Sequence, residues 1–205
     1  MRILMLGNSF TFYNDMPSML AEIAGAEVIS HTRGGARLAE QLNPETQMGA
    51  ETLAALANES WDYVVLQEQS NAPVTSRKAF LKAVRALCDK IRAAGAVPVL
   101  YATWAYERGS AWYKDNDSSY ELFYKRLSDA YHEAAQQNDA LIAEVGRKFY
   151  EQADKVMLYQ EDRKHPNEAG SRLAAEAIAE VIGRAGISSR TGKDRRSYDR
   201  DPGKI

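Results

Sequence analysis

The sequence predicts an α/β protein: a three-layer α/β/α sandwich built on a five-stranded parallel sheet, a flavodoxin-like arrangement. Three observations lead there. Short apolar runs bounded by turn residues recur along the chain, and amphipathic helical patterns separate them. The residues best suited to chemistry follow the carboxyl ends of those runs. Strands alternating with helices imply a parallel sheet covered on both faces, with right-handed crossovers.

The first strand is residues 3–6, which stops at Gly7 and hands over Asn8 and Ser9. Met16, Leu20 and Ile23 then fall at helical spacing, with Asn14 or Asp15 as N-cap and Pro17 in the first turn. Residues 26–30 form a shorter second strand, followed by the glycine-bearing turn Thr32-Arg33-Gly34-Gly35-Ala36-Arg37. Leu38, Leu42, Leu53 and Leu56 mark helical material up to Glu59. The third strand, residues 61–66, ends in the polar burst Gln67-Glu68-Gln69-Ser70-Asn71. Phe80, Leu81, Val84, Leu87, Cys88 and Ile91 stripe a long helix before Gly95. Residues 97–102 are the fourth strand, and Trp104, Tyr106, Trp112 and Tyr113 occupy the loop after it. Tyr120, Phe123, Leu127 and Tyr131 line one more helix. Residues 140–145 are the fifth strand, and a short helix near residues 149–153 leads into a polar loop at residues 159–167. The last helix spans residues 168–183.

With 205 residues, the chain suits one domain, residues 1–187. Residues 188–205 are charged and have little to bury, so they are expected to form a flexible tail. A net charge of −2 argues for neither nucleic acid nor an anionic membrane surface. The lone Cys88 excludes an intramolecular disulfide and a thiolate zinc cluster, and its apolar register marks it as a packing thiol. No apolar stretch approaches the roughly 18–20 residues that span a bilayer. The N-terminal apolar run is too short for a secretory h-region, so a cytoplasmic location is expected.

In an open α/β sheet the carboxyl edge of the strands is where ligands bind. Ser9 emerges there, although the same residue also fits a capping serine in a polar turn. Asp162 and His165, three residues apart, lie in a loop too polar for the core. A tight turn at that spacing sets the carboxylate against one imidazole nitrogen and leaves the other facing the mouth. Acyl transfer needs a nucleophile, a base, an orienter for the base, and donors for the oxyanion. His31 and His132 lack such company.

Gly7-Asn8-Ser9 near the N-terminus and Asp162-Arg163-Lys164-His165 near the end, with Pro166 following, resemble two sequence blocks of the SGNH (GDSL-like) hydrolase superfamily. The resemblance covers residues 2–183 in block order. It implies a catalytic triad of Ser9, His165 and Asp162 and an oxyanion hole made by the backbone N–H groups of Ser9 and Gly35. It also implies hydrolysis of a small-molecule acyl ester with no metal and no organic cofactor. The third block departs from the family's Gly-x-Asn-Asp and is similar to the Gln-Gly-Glu-Ser-Asn stretch of sialate O-acetylesterase-like members. By that comparison Gln67 supplies the third oxyanion donor, with Gln69 second and Asn71 third. Gln69, Asn71 and Trp104 are expected to bind substrate, Trp104 through an aromatic wall that reads equally as packing under a long loop. Acetylated sugars are the substrate suggested by the third block. Two rivals stand beside this reading. One is a flavodoxin- or Rossmann-like module for a phosphorylated ligand, although neither G-x-G-x-x-G nor a P-loop occurs in the first turn. The other is an inactive carbohydrate-binding relative.

Overall fold

The structure, a computed structural model, describes residues 1–198. Five strands form one parallel sheet in the order β2-β1-β3-β4-β5. They are β1 (Arg2–Gly7), β2 (Glu27–Thr32), β3 (Tyr63–Leu66), β4 (Val97–Tyr101) and β5 (Leu141–Ala143). The helices are α1 (Ser9–Phe12), α2 (Met16–Ala24), α3 (Gln47–Asn58), α4 (Ala72–Thr75), α5 (Arg77–Ala93), α6 (Ala111–Asp115), α7 (Tyr120–Gln137), α8 (Val145–Gln152) and α9 (Glu168–Tyr198).

Strand periodicity of two divides the interior into two cores. Ile3 and Met5, Tyr63 and Val65, and Val99 and Tyr101 face one side, where Leu20 of α2, Phe149 of α8 and Ile178 of α9 pack. Leu4 and Leu6, Val64 and Leu66, and Leu100 face the other, against Leu56 of α3 and Phe80, Leu87 and Ile91 of α5. Helix α7 feeds both, through Phe123 and Leu127 on one side and Ala130 and Tyr131 on the other. Cys88 is wholly buried in the second core.

The element bounds differ from the sequence reading where pairing or capping decides them. β2 runs on to Thr32 because β1 offers partners from Arg2 to Gly7. Trp61 leaves the third strand because its indole Nε1 donates to the carbonyl of Ala55 at 3.0 Å, closing the end of α3. β5 keeps only the three residues that pair with β4. Leu38–Leu42 is a 3-10 turn rather than part of a longer helix. Asp15 stands at the start of α2 in the left-handed conformation and makes no capping hydrogen bond. Helix α9 continues past Gly183 through the expected start of the tail to Tyr198, and residues 199–205 lie outside the described residues. Among the described residues no helix is long and apolar enough to cross a membrane.

Chain order along the sheet reverses at β1: β2 lies on one side, and β3 to β5 lie on the other. A crevice opens at the carboxyl ends of strands flanking such a switch point. The segment after β1 carries Ser9, and the segment after β3 carries Gln67 to Asn71.

Candidate active site

Gly7 ends β1 at a place with no room for a side chain. A Cβ there would lie 2.6 Å from Gln67 Oε1 and against Thr11 Oγ1. Asn8, 2% exposed, ties three loops together at the strand ends. Its backbone N–H donates to Gln67 Oε1 at 2.9 Å, and its Nδ2 donates to the carbonyl of Ala36 at 3.0 Å. Its Oδ1 accepts from the Phe10 N–H at 3.2 Å, capping α1. Ser9 is thereby the first residue of a short helix anchored on both flanks.

The opposite wall is the loop between α8 and α9. Tyr159 and Pro166 form an antiparallel bridge, and the Gln160 N–H donates to the His165 carbonyl at 2.9 Å. Arg163, at φ 59°, makes the left-handed step that closes the turn. Asp162 Oδ1 accepts from the N–H groups of Lys164 (3.0 Å) and His165 (2.9 Å), and Oδ2 contacts His165 Nδ1. Burial alone would raise the Asp162 pKa. The hydrogen bonds from the His165 ring and from the two backbone N–H groups outweigh it, so the carboxyl titrates below its ordinary value. A carboxylate at Nδ1 selects the tautomer with its proton there, which leaves the Nε2 lone pair free to accept. Ser9 Oγ lies 2.9 Å from that Nε2.

Between these walls lies a cavity of about 340 Å³, lined by Ser9, His165, Gly34, Gly35, Gln69 and Lys164 among others. Gly35, at φ +68°, adopts a backbone conformation that other residues rarely accept, and no atom stands near where a Cβ would be. Gly35 lines the cavity, and the turn is closed by the Ala36 N–H donating to Arg33 O at 3.0 Å.

The two glutamines after β3 part ways. Gln67, 1% exposed, spends its amide internally: Oε1 accepts from Asn8 N–H and from Thr11 Oγ1 (3.0 Å), and Nε2 donates to the Glu68 carbonyl. It does not line the cavity, contrary to the donor role expected for it. Gln69 does line it. Its Oε1 caps α4 by accepting from the N–H groups of Asn71 (3.3 Å) and Ala72 (3.1 Å), and its Nε2 lies 3.2 Å from Ser70 Oγ. Asn71, expected to bind substrate, is not among the residues that line the cavity; it starts α4, its carbonyl accepting from the Val74 and Thr75 N–H groups. Buried Glu68 joins the second and third loops, its Oε1 accepting from Leu38 N–H at 3.3 Å and Gln69 N–H at 2.7 Å. Its desolvation raises its pKa.

Trp104 is not a cavity wall. It is fully buried, stacked between Phe10 (4.5 Å) and Phe149 (4.1 Å), and its Nε1 donates to the Lys164 carbonyl at 3.1 Å. It supports the loop that carries His165, which is packing with a purpose. The phenylalanines and tyrosines at the cavity are Phe10, which is itself buried, and Phe12 and Tyr13, none of which the sequence reading singled out. The available signal was their position, directly after the Gly-Asn-Ser block. Among the described residues no group of three or more His, Cys, Asp or Glu is placed to hold a metal ion.

No protein-family model and no curated protein sequence matches the chain. Solved structures do. A protein from Slackia heliotrinireducens assigned to the SGNH hydrolases is 50% identical, superimposes with a TM-score of 0.85, and is matched over 89% of this chain and 98% of that one. The acetyl-xylooligosaccharide esterase Axe2 from Geobacillus Stearmophilus, in an R55A variant, shares the fold at 13% identity (TM-score 0.66, 89% and 94% covered). The acetyl xylan esterase AlAXEase does so at 17% identity (TM-score 0.65, 89% and 100% covered). An α/β sandwich half identical to such a protein over nearly all of that protein's length is a hydrolase. The chain belongs to the SGNH hydrolase family.

Proposed function

We propose that the protein hydrolyses small acyl esters through an acyl-enzyme on Ser9, with acetyl groups on carbohydrates as the substrate class. The observation that carries this is the 2.9 Å approach of Ser9 Oγ to His165 Nε2, with Asp162 on the other ring nitrogen. Ser9 Oγ attacks the ester carbonyl while Nε2 takes its proton, and Asp162 stabilises the imidazolium in place. The oxyanion is held by the N–H groups of Ser9 and Gly35 and by the Gln69 amide, the second candidate for the third donor, a reading supported by Gln69 lining the cavity where Gln67 does not. Collapse breaks the bond between the carbonyl carbon and the ester oxygen, and the imidazolium returns the proton to the departing alcohol. A water molecule, deprotonated by Nε2, then releases the acid and regenerates Ser9. The cavity volume of about 340 Å³ suits an acetyl group with a monosaccharide-sized alcohol. Two structural neighbours, the acetyl-xylooligosaccharide esterase Axe2 and the acetyl xylan esterase AlAXEase, agree with that substrate class.

Turnover of p-nitrophenyl acetate by the wild type and Ser9→Ala tests the reading. Ser9→Ala should lose on the order of 10⁴-fold or more in kcat with its fold intact. Undiminished activity would end the assignment.

A further inference from the structure

The chain contains five phenylalanines, and four of them, Phe10, Phe80, Phe123 and Phe149, are at most 1% exposed. Phe12 is 37% exposed and sits at the cavity with Tyr13. The two rings meet edge to face at 5.5 Å and 83°. Tyr13 in turn lies 4.4 Å from the His165 imidazole, tilted by 55°. The pair, at and just after the end of α1, thus extends outward from the general base, on a segment other than the loops carrying Gly35 and Gln69.

That position has a mechanistic meaning, resting on the reading of Ser9 and His165 above. The oxygen that leaves must come within hydrogen-bond reach of Nε2 to collect its proton. The group attached to that oxygen therefore lies beside whatever flanks the imidazole, and Tyr13 flanks it. The acyl carbon's oxygen points instead toward the Gly35 and Gln69 loops.

We infer that Phe12 and Tyr13 form an aromatic platform that binds the alcohol half of the substrate, and that this alcohol is a pyranose-type ring. A sugar has C–H faces for the rings and hydroxyls for Lys164, which lines the same cavity. An alkyl alcohol would use the rings alone and bring no hydrogen-bonding group to Lys164. Specificity for the alcohol and specificity for the acyl group then reside on different loops.

The test compares the wild type, Phe12→Ala and Phe12→Leu on three esters: a methyl pyranoside monoacetate, ethyl acetate and ethyl butyrate. Wild type should prefer the sugar acetate over ethyl acetate in kcat/KM. In Phe12→Ala that preference should fall roughly fivefold to tenfold, the size of one lost aromatic contact, with the change carried mainly by KM. Phe12→Leu keeps apolar volume without a π face and should move the same way. The acetate-over-butyrate preference should stay within about twofold in both variants, since the acyl side is untouched. A platform that faces the acyl group would give the reverse pattern, with the acetate-over-butyrate preference shifted and the sugar preference kept, and would overturn the inference. So would a wild type that hydrolyses ethyl acetate as well as the sugar acetate. A wild type inactive on all three esters would instead overturn the esterase reading, and the platform with it.

Discussion

Asn14 donates through Nδ2 to the carbonyl of Pro166 at 3.0 Å, joining the turn after the nucleophile to the residue after the base. The same Nδ2 donates to Ser171 Oγ at 2.8 Å, and that hydroxyl donates to the Tyr13 carbonyl at 3.2 Å. Ser9 and His165 are 156 residues apart, so their approach depends on such ties as much as on their own contact. Asn14 itself sits at φ 55°, a left-handed conformation that asparagine tolerates better than most residues.

Asn14→Ala should therefore cost about 2–3 kcal/mol, from the lost side-chain hydrogen bonds and the left-handed strain of a Cβ residue. Asn14→Gly removes the same hydrogen bonds but relieves the strain, so it should lose less stability. Both should lower kcat more than they raise KM. Chemical denaturation alongside steady-state kinetics checks this. Equal stability loss in the two variants would remove the backbone part of the argument.

Gln67 and Gln69 should separate cleanly on mutation. Gln67→Ala leaves the buried N–H of Asn8 without its acceptor, at a cost of about 1–3 kcal/mol in stability. Gln69→Ala should lower kcat by on the order of 10²-fold, as loss of one oxyanion donor does. Melting temperature and kcat measured on both variants decide the matter. A Gln67→Ala enzyme of full stability and crippled kcat would restore the donor role to Gln67.

Asp162 links catalysis to acid stability. Its folded pKa is lowered below the ordinary 3.8, so its charged form contributes stability that is complete above that value and lost as pH falls through the folded pKa. Asp162→Asn should drop kcat by roughly 10³–10⁴-fold by misorienting His165. The stability gap between wild type and Asp162→Asn should shrink on acidification below about pH 4. Denaturant melts from pH 6 to pH 2.5 measure it, and a gap that widens with acid would contradict the linkage.

Cys88 should be silent in the native protein. Burial raises its pKa to about 11, and no part of it is exposed. Ellman's reagent should find no reactive thiol in buffer and one per chain in denaturant. Fast native reaction would mean that the second core opens around α5.

The parts of this site legible in the sequence are those set by short-range geometry. Asp162 and His165 are joined by a single turn, so a spacing of three is enough to foresee their contact. Ser9 follows a buried strand directly, and its place at the sheet mouth follows from the strand ending at Gly7. The alternation of Leu4 and Leu6 with Ile3 and Met5 appears in the structure as two separate cores. The third loop was not legible in this way. Which of Gln67 and Gln69 faces the cavity depends on Asn8 and Thr11 capturing the first of them, partners 59 and 56 residues away. Trp104 read equally as wall and as packing, and what decides for packing is again distant in sequence: Phe10, Phe149 and the carbonyl of Lys164. Asp15 had the composition of a helix cap, yet the turn needed a left-handed step there, and the useful side chain became that of Asn14.

Fluorophosphonate labelling followed by peptide mapping tests the nucleophile most directly. Ser70 is the natural internal control, because it lines the same cavity but its hydroxyl contacts Tyr106 Oη at 2.7 Å rather than a histidine. One label on Ser9 in the wild type, none in Ser9→Ala and sharply slowed labelling in His165→Ala is the predicted result. A label on Ser70, or labelling that persists in Ser9→Ala, would contradict it.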